Sequence, residues 1–149
     1  MLKARDIMTR DVISVKKETS LKQLAEILSR NHINGAPVVD DDGRLIGVIA
    51  ESDLVRKDKK LHIPTVVALF DWVLYLESSK VMEKEIQRVN ATVVGDLYEK
   101  NVVTVDEETP VDEIATIMTK KKIYTIPVME GDRLVGIIGK GDIIRAVVS

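Results

Sequence analysis

The sequence predicts a mixed α/β (α+β) fold in which two β-α-β-β-α units pack together with pseudo-two-fold symmetry. The first observation is that Gly47–Leu54, GVIAESDL, returns as Gly136–Ile143, GIIGKGDI. The second is that 16 of 50 aligned residue pairs are identical when 4–40 and 44–56 are set against 94–130 and 133–145. The third is unit size, since a unit of about 50 residues buries too little core to be stable alone.

Each unit begins with a short extended piece, Val12–Val15 in the first copy and Val102–Val105 in the second. A helix follows, and its start is signalled by Thr19 and by Thr109 with Pro110 behind it. Hydroxyl residues are preferred at the N-cap and proline at the first helical position. Apolar residues at i, i+3, i+4 and i+7 then predict amphipathic helices. They are Leu21, Leu24, Ala25 and Leu28, and Val111, Ile114, Ala115 and Met118.

The second half of each unit predicts a β-hairpin followed by a helix. In Ala36–Ala50 and in Ile126–Gly139, two apolar runs flank a polar turn that contains glycine. The segments ESDLVR and KGDIIR that follow are typical of a second helix. Its start is predicted at Ser52 or Asp53 in the first copy and at Gly141 or Asp142 in the second.

The chain therefore divides into a first motif (1–56), a linker (57–92) and a second motif (93–149), the two motifs forming one domain. The linker contains clustered aromatic residues and apolar residues at helical spacing, which predict one or two helices. These helices either cover the core or form a lid or subunit interface, where clustered aromatics are favoured. The residues concerned are Phe70, Trp72 and Tyr75, and Met82, Ile86, Val89 and Val93.

Composition excludes several classes of function. With 24 acidic and 22 basic residues the net charge is −2, which argues against nucleic-acid and anionic-membrane partners. The absence of cysteine excludes disulfides, thiolate metal sites and cysteine nucleophiles. The longest apolar stretch, Ile63–Leu76, is shorter than the roughly 20 residues that span a bilayer. Since the first residues form no apolar secretory segment, we expect a cytoplasmic protein.

No motif points to an enzyme or to a metal site. The chain has no glycine-rich phosphate loop and no G-x-S-x-G. His32 and His62 are far apart, and neither has a second histidine at ligand spacing. The acidic run Asp40–Gly43 lacks the spaced acids of a calcium loop and is better interpreted as a hairpin turn. We therefore expect no catalytic residues, no metal and no cofactor other than a regulatory ligand.

The repeated pattern resembles the CBS (cystathionine β-synthase) domain pair, also called the Bateman module. The motifs are Asp6–Met8, the extended V-x-[ST]-V, the central Ala36–Val39 and the closing G-h-h-x-x-x-D-h, each with a second-copy partner. The resemblance covers both repeats but not the linker. It implies a regulatory protein that binds AMP, ADP, ATP or S-adenosylmethionine in crevices between the motifs. It also implies a homodimer that acts on a partner protein, here as a stand-alone sensor.

By this resemblance, Asp53 and Asp142 accept hydrogen bonds from the ribose hydroxyls, a task that suits an acceptor-only carboxylate. The alternative is that each is simply an N-cap or first-turn acid of a helix. The position where the family often has threonine or serine is Ala50 in one copy and Gly139 in the other. Ser52, beside Asp53, makes the first copy the better candidate for binding phosphate. Gly141 offers only its backbone.

The resemblance also assigns an apolar slot for adenine to the extended runs and the segments that lead into the hairpins. No arginine or lysine stands just before the central apolar pair of either copy. A nucleoside, AMP or an S-adenosyl compound therefore fits better than ATP. The alternative is that these residues are ordinary core strands. They are Ile13, Ser14, Val15, Asn34, Gly35, Ala36 and Pro37, and Val103, Thr104, Val105, Tyr124, Thr125, Ile126 and Pro127.

A second function stays open on the same residues. Because Ala50 and Gly139 supply no hydroxyl, the crevices could be degenerate. The chain would then be a ligand-free module for protein–protein interaction, with the linker helices holding the partner. The sequence leaves open which ligand binds, whether one or both crevices are filled, and which protein is regulated.

Overall fold

The structure, a computed structural model, describes residues 1–54 and 92–148. Within these ranges each copy has the predicted order of an extended segment, a helix, a hairpin and a second helix. The predicted linker helices, with Phe70, Trp72 and Tyr75, lie outside the described residues. So do His62 and the boundary between residues 56 and 57, which stays a prediction.

The first copy contains three helices and two strands. They are α1 (Ala4–Ile7), α2 (Leu21–Asn31), β1 (Gly35–Val39), β2 (Leu45–Ala50) and α3 (Glu51–Leu54). The second copy begins with a 3₁₀ turn at Val94–Asp96 where the first copy has α1. It continues with β3 (Val105–Asp106), α4 (Val111–Lys121), β4 (Thr125–Glu130), β5 (Arg133–Gly139) and α5 (Lys140–Val148). The fold is therefore the predicted mixture of helices and small sheets.

The two hairpins have the same register. β1 pairs antiparallel with β2 from Gly35 opposite Ala50, and β4 pairs with β5 from Thr125 opposite Gly139. The extended pieces join these hairpins in parallel but contribute little strand. In the second copy β3 lies beside β4, whereas in the first copy Val15 alone makes a parallel bridge, to Val38. Both hairpins thus end at the point where a helix begins.

The N-caps of α2 and α4 each stand one residue after the threonine that predicted them. Ser20 is the N-cap of α2: its hydroxyl accepts the amide of Gln23 at 3.1 Å, and the Gln23 side chain accepts the amide of Ser20 at 3.0 Å. Pro110 is the N-cap of α4 and makes no such bond. The hydroxyls of Thr19 and Thr109 instead accept backbone amides three residues earlier, which closes the preceding turns.

The two cores are each completed by the other copy. The first core is formed by α2, β1 and β2 and also contains Val94, Leu97 and Tyr98 of the second copy. The second core is formed by α4, β4 and β5 and also contains Ala4 and Met8 of the first copy. The two copies thus exchange their first segments, each of which packs into the core of the other copy. For this reason the two units form one domain rather than two adjacent ones.

The repeated glycine of the closing strand makes room for this exchange. A Cβ atom added to Gly47 would lie 2.3 Å from Cδ2 of Tyr98, and one added to Gly136 would lie 2.6 Å from Sδ of Met8. Since carbon atoms pack at about 3.5–4.0 Å, only glycine fits at either position without movement. The exchange therefore explains why this position is glycine in both copies.

Candidate functional site

Two crevices lie between the copies, and each combines the strand–helix junction of one copy with the extended run of the other. The first crevice has a volume of about 330 Å³ and contains Asp53 together with Val102, Val103 and Tyr124. The second has a volume of about 800 Å³ and contains Asp142 together with Asp11 and Ile13. Both volumes fall within the range of about 300–1,000 Å³ that is usual for small-molecule sites.

Asp53 and Asp142 occupy the same place in the two copies. Each is the third residue of its helix, and one carboxylate oxygen accepts the amide of the last strand residue. The bond from Ala50 to Asp53 is 2.9 Å long and that from Gly139 to Asp142 is 2.8 Å long. Both side chains are buried, at 6% and 8% exposure. The first-turn role that the sequence allowed is therefore present, and it holds each acid in one orientation at a crevice wall.

The second oxygen of Asp142 takes part in a network that sequence reasoning missed. It accepts hydrogen bonds from the hydroxyl of Thr9 at 3.2 Å and from the guanidinium of Arg145. Both partners line the second crevice. Arg145 stands three residues after Asp142 on one helix, a spacing that places side chains side by side. That spacing was readable in the sequence, whereas the contact with Thr9, 133 residues away, was not.

Eleven of the eighteen residues predicted for the adenine slot or the phosphate line a crevice. Ala50, Ser52, Val103 and Tyr124 line the first, and Asn34 and Thr125 line both. Ile13, Gly35, Pro37, Gly139 and Gly141 line the second. The ribose and adenine roles assigned to these positions stay predictions.

The other seven predicted residues line neither crevice. In the extended runs the reason is that successive side chains point in opposite directions. Ile13 and Val103 point into the crevices, the next residue of each run is exposed, and the one after that enters a core. Of the positions leading into the hairpins, Ala36, Ile126 and Pro127 line neither crevice because they are buried. The seven are Ser14 and Thr104, which are exposed, and Val15, Ala36, Val105, Ile126 and Pro127, which are buried.

A thin wall of shared residues separates the crevices. Asn34, Glu51 and Thr125 line both, and the Thr125 hydroxyl donates to Oδ1 of Asn34 at 3.2 Å. A Cβ atom on Gly35, the counterpart of Thr125, would lie 2.4 Å from that hydroxyl. The pseudo-two-fold axis therefore passes between a glycine and a threonine, so the two crevices are not equal at the point where they meet.

Basic residues also distinguish the crevices. Lys140 and Arg145 line the second crevice, as does His32 at the exposed C-cap of α2, whereas Lys122 lines the first. The expectation that Ser52 makes the first crevice the better phosphate site therefore competes with this placement of charge. Sequence reasoning missed Lys140, which the pairing of Thr125 with Gly139 brings beside Tyr124 of the same copy: the Lys140 ammonium lies 5.1 Å from the centroid of that ring.

The described residues also limit the other chemistry. Within 1–54 and 92–148, no group of three or more histidine, aspartate and glutamate side chains is placed to hold a metal ion. Over the same ranges, no helix has the length and apolar character needed to cross a membrane.

Comparison with known proteins points to one family. The sequence model of the CBS domain matches residues 4–60 and again residues 94–149. An uncharacterised protein of Methanocaldococcus jannaschii, MJ1426, is 29% identical over 153 residues, which span 97% of this chain and 90% of that protein. The chloroplastic CBS domain-containing protein CBSX1 of Arabidopsis thaliana is 30% identical over 95% of this chain, but the match spans 62% of its length.

Solved structures with bound ligands have the same fold. The CBS domain pair of protein MJ0100, in complex with 5′-methylthioadenosine and S-adenosyl-L-methionine, superposes with a TM-score of 0.70 at 26% identity, covering 99% of this chain and 97% of that one. CBSX2 of Arabidopsis thaliana in complex with AMP gives the same values. Related CBS pairs thus bind adenosine-type ligands.

Proposed function

This chain belongs to the CBS domain family, and on that premise we propose that it is a regulatory module that binds an adenosine-containing ligand in its crevices and transmits binding to a partner protein. CBS pairs are generally regulatory modules rather than enzymes. The observation that carries the proposal is the repeated placement of a buried, oriented carboxylate, Asp53 or Asp142, at a crevice wall.

The geometry of Asp142 supports a role in holding the ribose. Its Oδ2 atom is held by the Gly139 amide, so the side chain is oriented before any ligand arrives. Its Oδ1 atom already accepts from the Thr9 hydroxyl and from the Arg145 guanidinium, and a carboxylate has about four acceptor sites in all. One ribose hydroxyl would take the remaining site on Oδ2, and the other would replace the Thr9 hydroxyl or the guanidinium on Oδ1. Preorganisation of this kind improves affinity because less side-chain freedom is lost on binding.

The ligand class we propose is AMP, another adenosine compound with few phosphates, or an S-adenosyl compound, as the sequence also favoured over ATP. The hairpin entries that face the crevices carry Asn34 and Gly35 in one copy and Tyr124 and Thr125 in the other. None of these side chains is basic, so a polyphosphate would meet little compensating charge there.

Transmission follows from the fact that both copies form each crevice. A ligand that contacts both stabilises the arrangement in which they are packed, and it shifts the protein only as far as its affinity differs between two states. A ligand that binds one state and not the other stabilises the bound state by about 2.7 kcal/mol at a ligand concentration of 100 Kd. We further propose a homodimer, because Ile144, Val147 and Val148 of α5 expose apolar side chains.

Calorimetry with AMP, adenosine, ATP, 5′-methylthioadenosine and S-adenosylmethionine tests the proposal. We expect wild-type protein to bind at least one of them, and Asp53→Asn or Asp142→Asn to weaken that binding at least tenfold. Asp112→Asn, an exposed first-turn acid of α4 outside both crevices, is the matched control and should bind normally. Normal binding by both crevice variants would remove these aspartates from the site.

The alternative is an interaction module with empty crevices, which the absence of a hydroxyl at Ala50 and Gly139 favours. It predicts no binding of any adenosine compound. A partner would then co-purify with the Asp53→Asn/Asp142→Asn double variant but not with Trp72→Ala, Trp72 lying in the linker. The same pull-down from wild-type protein is the reference.

A further inference from the structure

Residues of opposite charge occupy equivalent positions in the two crevices, and we infer that the crevices bind different classes of adenosine ligand. The second crevice takes a nucleoside monophosphate, with Lys140 next to the phosphate. The first takes an adenosyl group whose 5′ substituent carries no phosphate. This inference rests on the proposed function and adds ligand class and site assignment to it.

The pseudo-symmetry of the two sites provides the main argument. Asp53 and Asp142 are equivalent, and each is held by the amide three residues before it. The residue two positions before the acid is Glu51 in the first copy and Lys140 in the second. Ligands anchored in the same way by the two acids would therefore place the same group near a carboxylate in one crevice and near an ammonium in the other.

A second pair of equivalent positions, Thr9 and Glu99, also places the acidic residue in the first crevice. Thr9 pairs through its backbone with Ile137, and Glu99 pairs in the same way with Val48, so each lies against the closing strand of the other copy. Thr9 contributes a hydroxyl to the second crevice, where it donates to Asp142. Glu99 contributes a carboxylate to the first. Each of these two differences places an acidic side chain in the first crevice where the second crevice has a basic or neutral one.

The backbone around Lys140 also favours an anion. Lys140 is the first residue of α5, a helix of nine residues, and the glycines on either side of it have no Cβ. The first amides of the helix and the positive end of its dipole are at this position, and they add to the charge of the lysine. In the first copy the corresponding first helical residue is Glu51, whose carboxylate would repel a phosphate brought to the same place.

Other lining residues have the opposite sense: Asp11 and His32 line the second crevice where Asn101 and Lys122 line the first, and Glu51 lines both. Arg145 binds Asp142 through its guanidinium, and because its side chain is 71% exposed, a phosphate can reach it without displacing that contact. Its first-copy counterpart, Arg56, lies outside the described residues. The inference therefore rests on the residues two positions before the aspartates, Lys140 and Glu51, and not on the total charge of each crevice.

Calorimetry with AMP and with 5′-methylthioadenosine, which lacks the phosphate, tests the assignment in single variants. We expect Asp142→Asn and Lys140→Ala each to weaken AMP about tenfold, the loss of one charge-assisted contact. Both should leave a 5′-methylthioadenosine site within twofold of wild type, whereas Asp53→Asn should remove that site and spare AMP. Lys120→Ala, an exposed lysine of α4, is the control and should change neither affinity.

The reciprocal double variant Glu51→Lys/Lys140→Glu provides a sharper test because it keeps composition and net charge constant. We expect it to move AMP to the first crevice, so that adding Asp53→Asn rather than Asp142→Asn abolishes AMP binding. Circular dichroism and thermal unfolding confirm that each variant is folded before it is compared.

Three results would overturn the assignment. They are AMP binding that Asp53→Asn and Asp142→Asn weaken equally, AMP binding that is indifferent to Lys140→Ala, and a charge swap that leaves the AMP site in place. Each of these leaves the proposed function standing, because an adenosine ligand still binds. Failure of wild-type protein to bind either probe would instead overturn the proposed function and the assignment together.

Discussion

The two copies share a backbone plan and differ most where each packs against the other's first segment. In one junction the aromatic ring of Tyr98 lies over Gly47, and in the other the thioether of Met8 lies over Gly136. A ring is rigid, whereas methionine has three rotatable bonds and adapts to its surroundings. Equivalent positions in a duplicated fold can therefore tolerate change to very different degrees.

The atoms around the two glycines make this difference concrete. A Cβ on Gly47 would meet Cδ2 of Tyr98 at 2.3 Å and the backbone oxygen of Glu99 at 2.5 Å. That oxygen accepts the amide of Val48, so it cannot move away without loss of the bridge between the copies. The three atoms nearest to a Cβ on Gly136 all belong to the side chain of Met8, the nearest being Sδ.

Alanine substitution at the two glycines should give the largest effect on stability, and the loss should differ between the two junctions. We expect Gly47→Ala to lower the free energy of unfolding by about 3 kcal/mol, because backbone must move, and Gly136→Ala to lower it by about 1 kcal/mol. Urea denaturation measures both, with the shift in midpoint taken at constant slope. Equal losses would mean that the two junctions are equally rigid.

Second-site variants distinguish the side-chain clash from the backbone clash in the cost of alanine at Gly47 and Gly136. Met8→Ala removes the atoms nearest to the added methyl, so Gly136→Ala should cost less in that background than in wild type. Tyr98→Ala removes the ring but not the Glu99 carbonyl, so Gly47→Ala should stay costly in that background. Restoration of stability by both second-site changes would contradict this account.

The repeat predicted the fold because its signals are local. Alternating apolar runs around a polar turn determine a hairpin, and the acids at the next helix start recur at Asp53 and Asp142. The helix starts were less accurate. α3 and α5 begin at Glu51 and Lys140, before the predicted starts, because each aspartate bonds back to the amide at the strand end rather than acting as an N-cap.

The exchange of first segments and the charges of the crevices could not be predicted in the same way. Met8 and Tyr98 are ordinary apolar residues in the sequence, and only the packing of distant segments assigns each to the core of the other copy. The roles of Thr9 and Lys140 depend on the same packing. Prediction of such contacts needs the relative placement of the copies, which no local pattern contains.

The N-caps of α2 and α4 offer a smaller comparison between the copies. The Ser20 hydroxyl accepts the Gln23 amide, whereas Pro110 has no side-chain bond to offer. We expect Ser20→Ala to lower the free energy of unfolding by about 1 kcal/mol and Pro110→Ala to change it by about half as much or less. Urea denaturation of the two single variants measures this, and a greater loss for Pro110→Ala would contradict the assignment of the cap.

The smallest effect concerns an ion-pair cluster that, among residues 1–54 and 92–148, is found at one of the two junctions. Glu108 of the second copy binds Lys3, at 2.6 Å, and Arg5 of the first copy. The hydrogen bond from Lys3, aided by the charge of Arg5, holds the pKa of Glu108 below its ordinary value of 4.5. In the opposite junction the counterparts of Lys3 and Arg5 are Val93 and Gly95, which carry no side-chain charge.

Because the folded-state pKa of Glu108 is lowered, its contribution to stability is complete above pH 4.5 and is lost as the pH falls through the folded value. Glu108→Gln should therefore reduce the melting temperature slightly at pH 7, and the difference from wild type should shrink at pH 3 and in 1 M salt, since exposed ion pairs are weak and screened. Glu18→Gln, the equivalent change in the first copy, is the control, because the counterparts of Lys3 and Arg5 in its junction are the uncharged Val93 and Gly95. If Glu18→Gln shows the same pH dependence, the effect belongs to the overall charge of the protein and not to this junction.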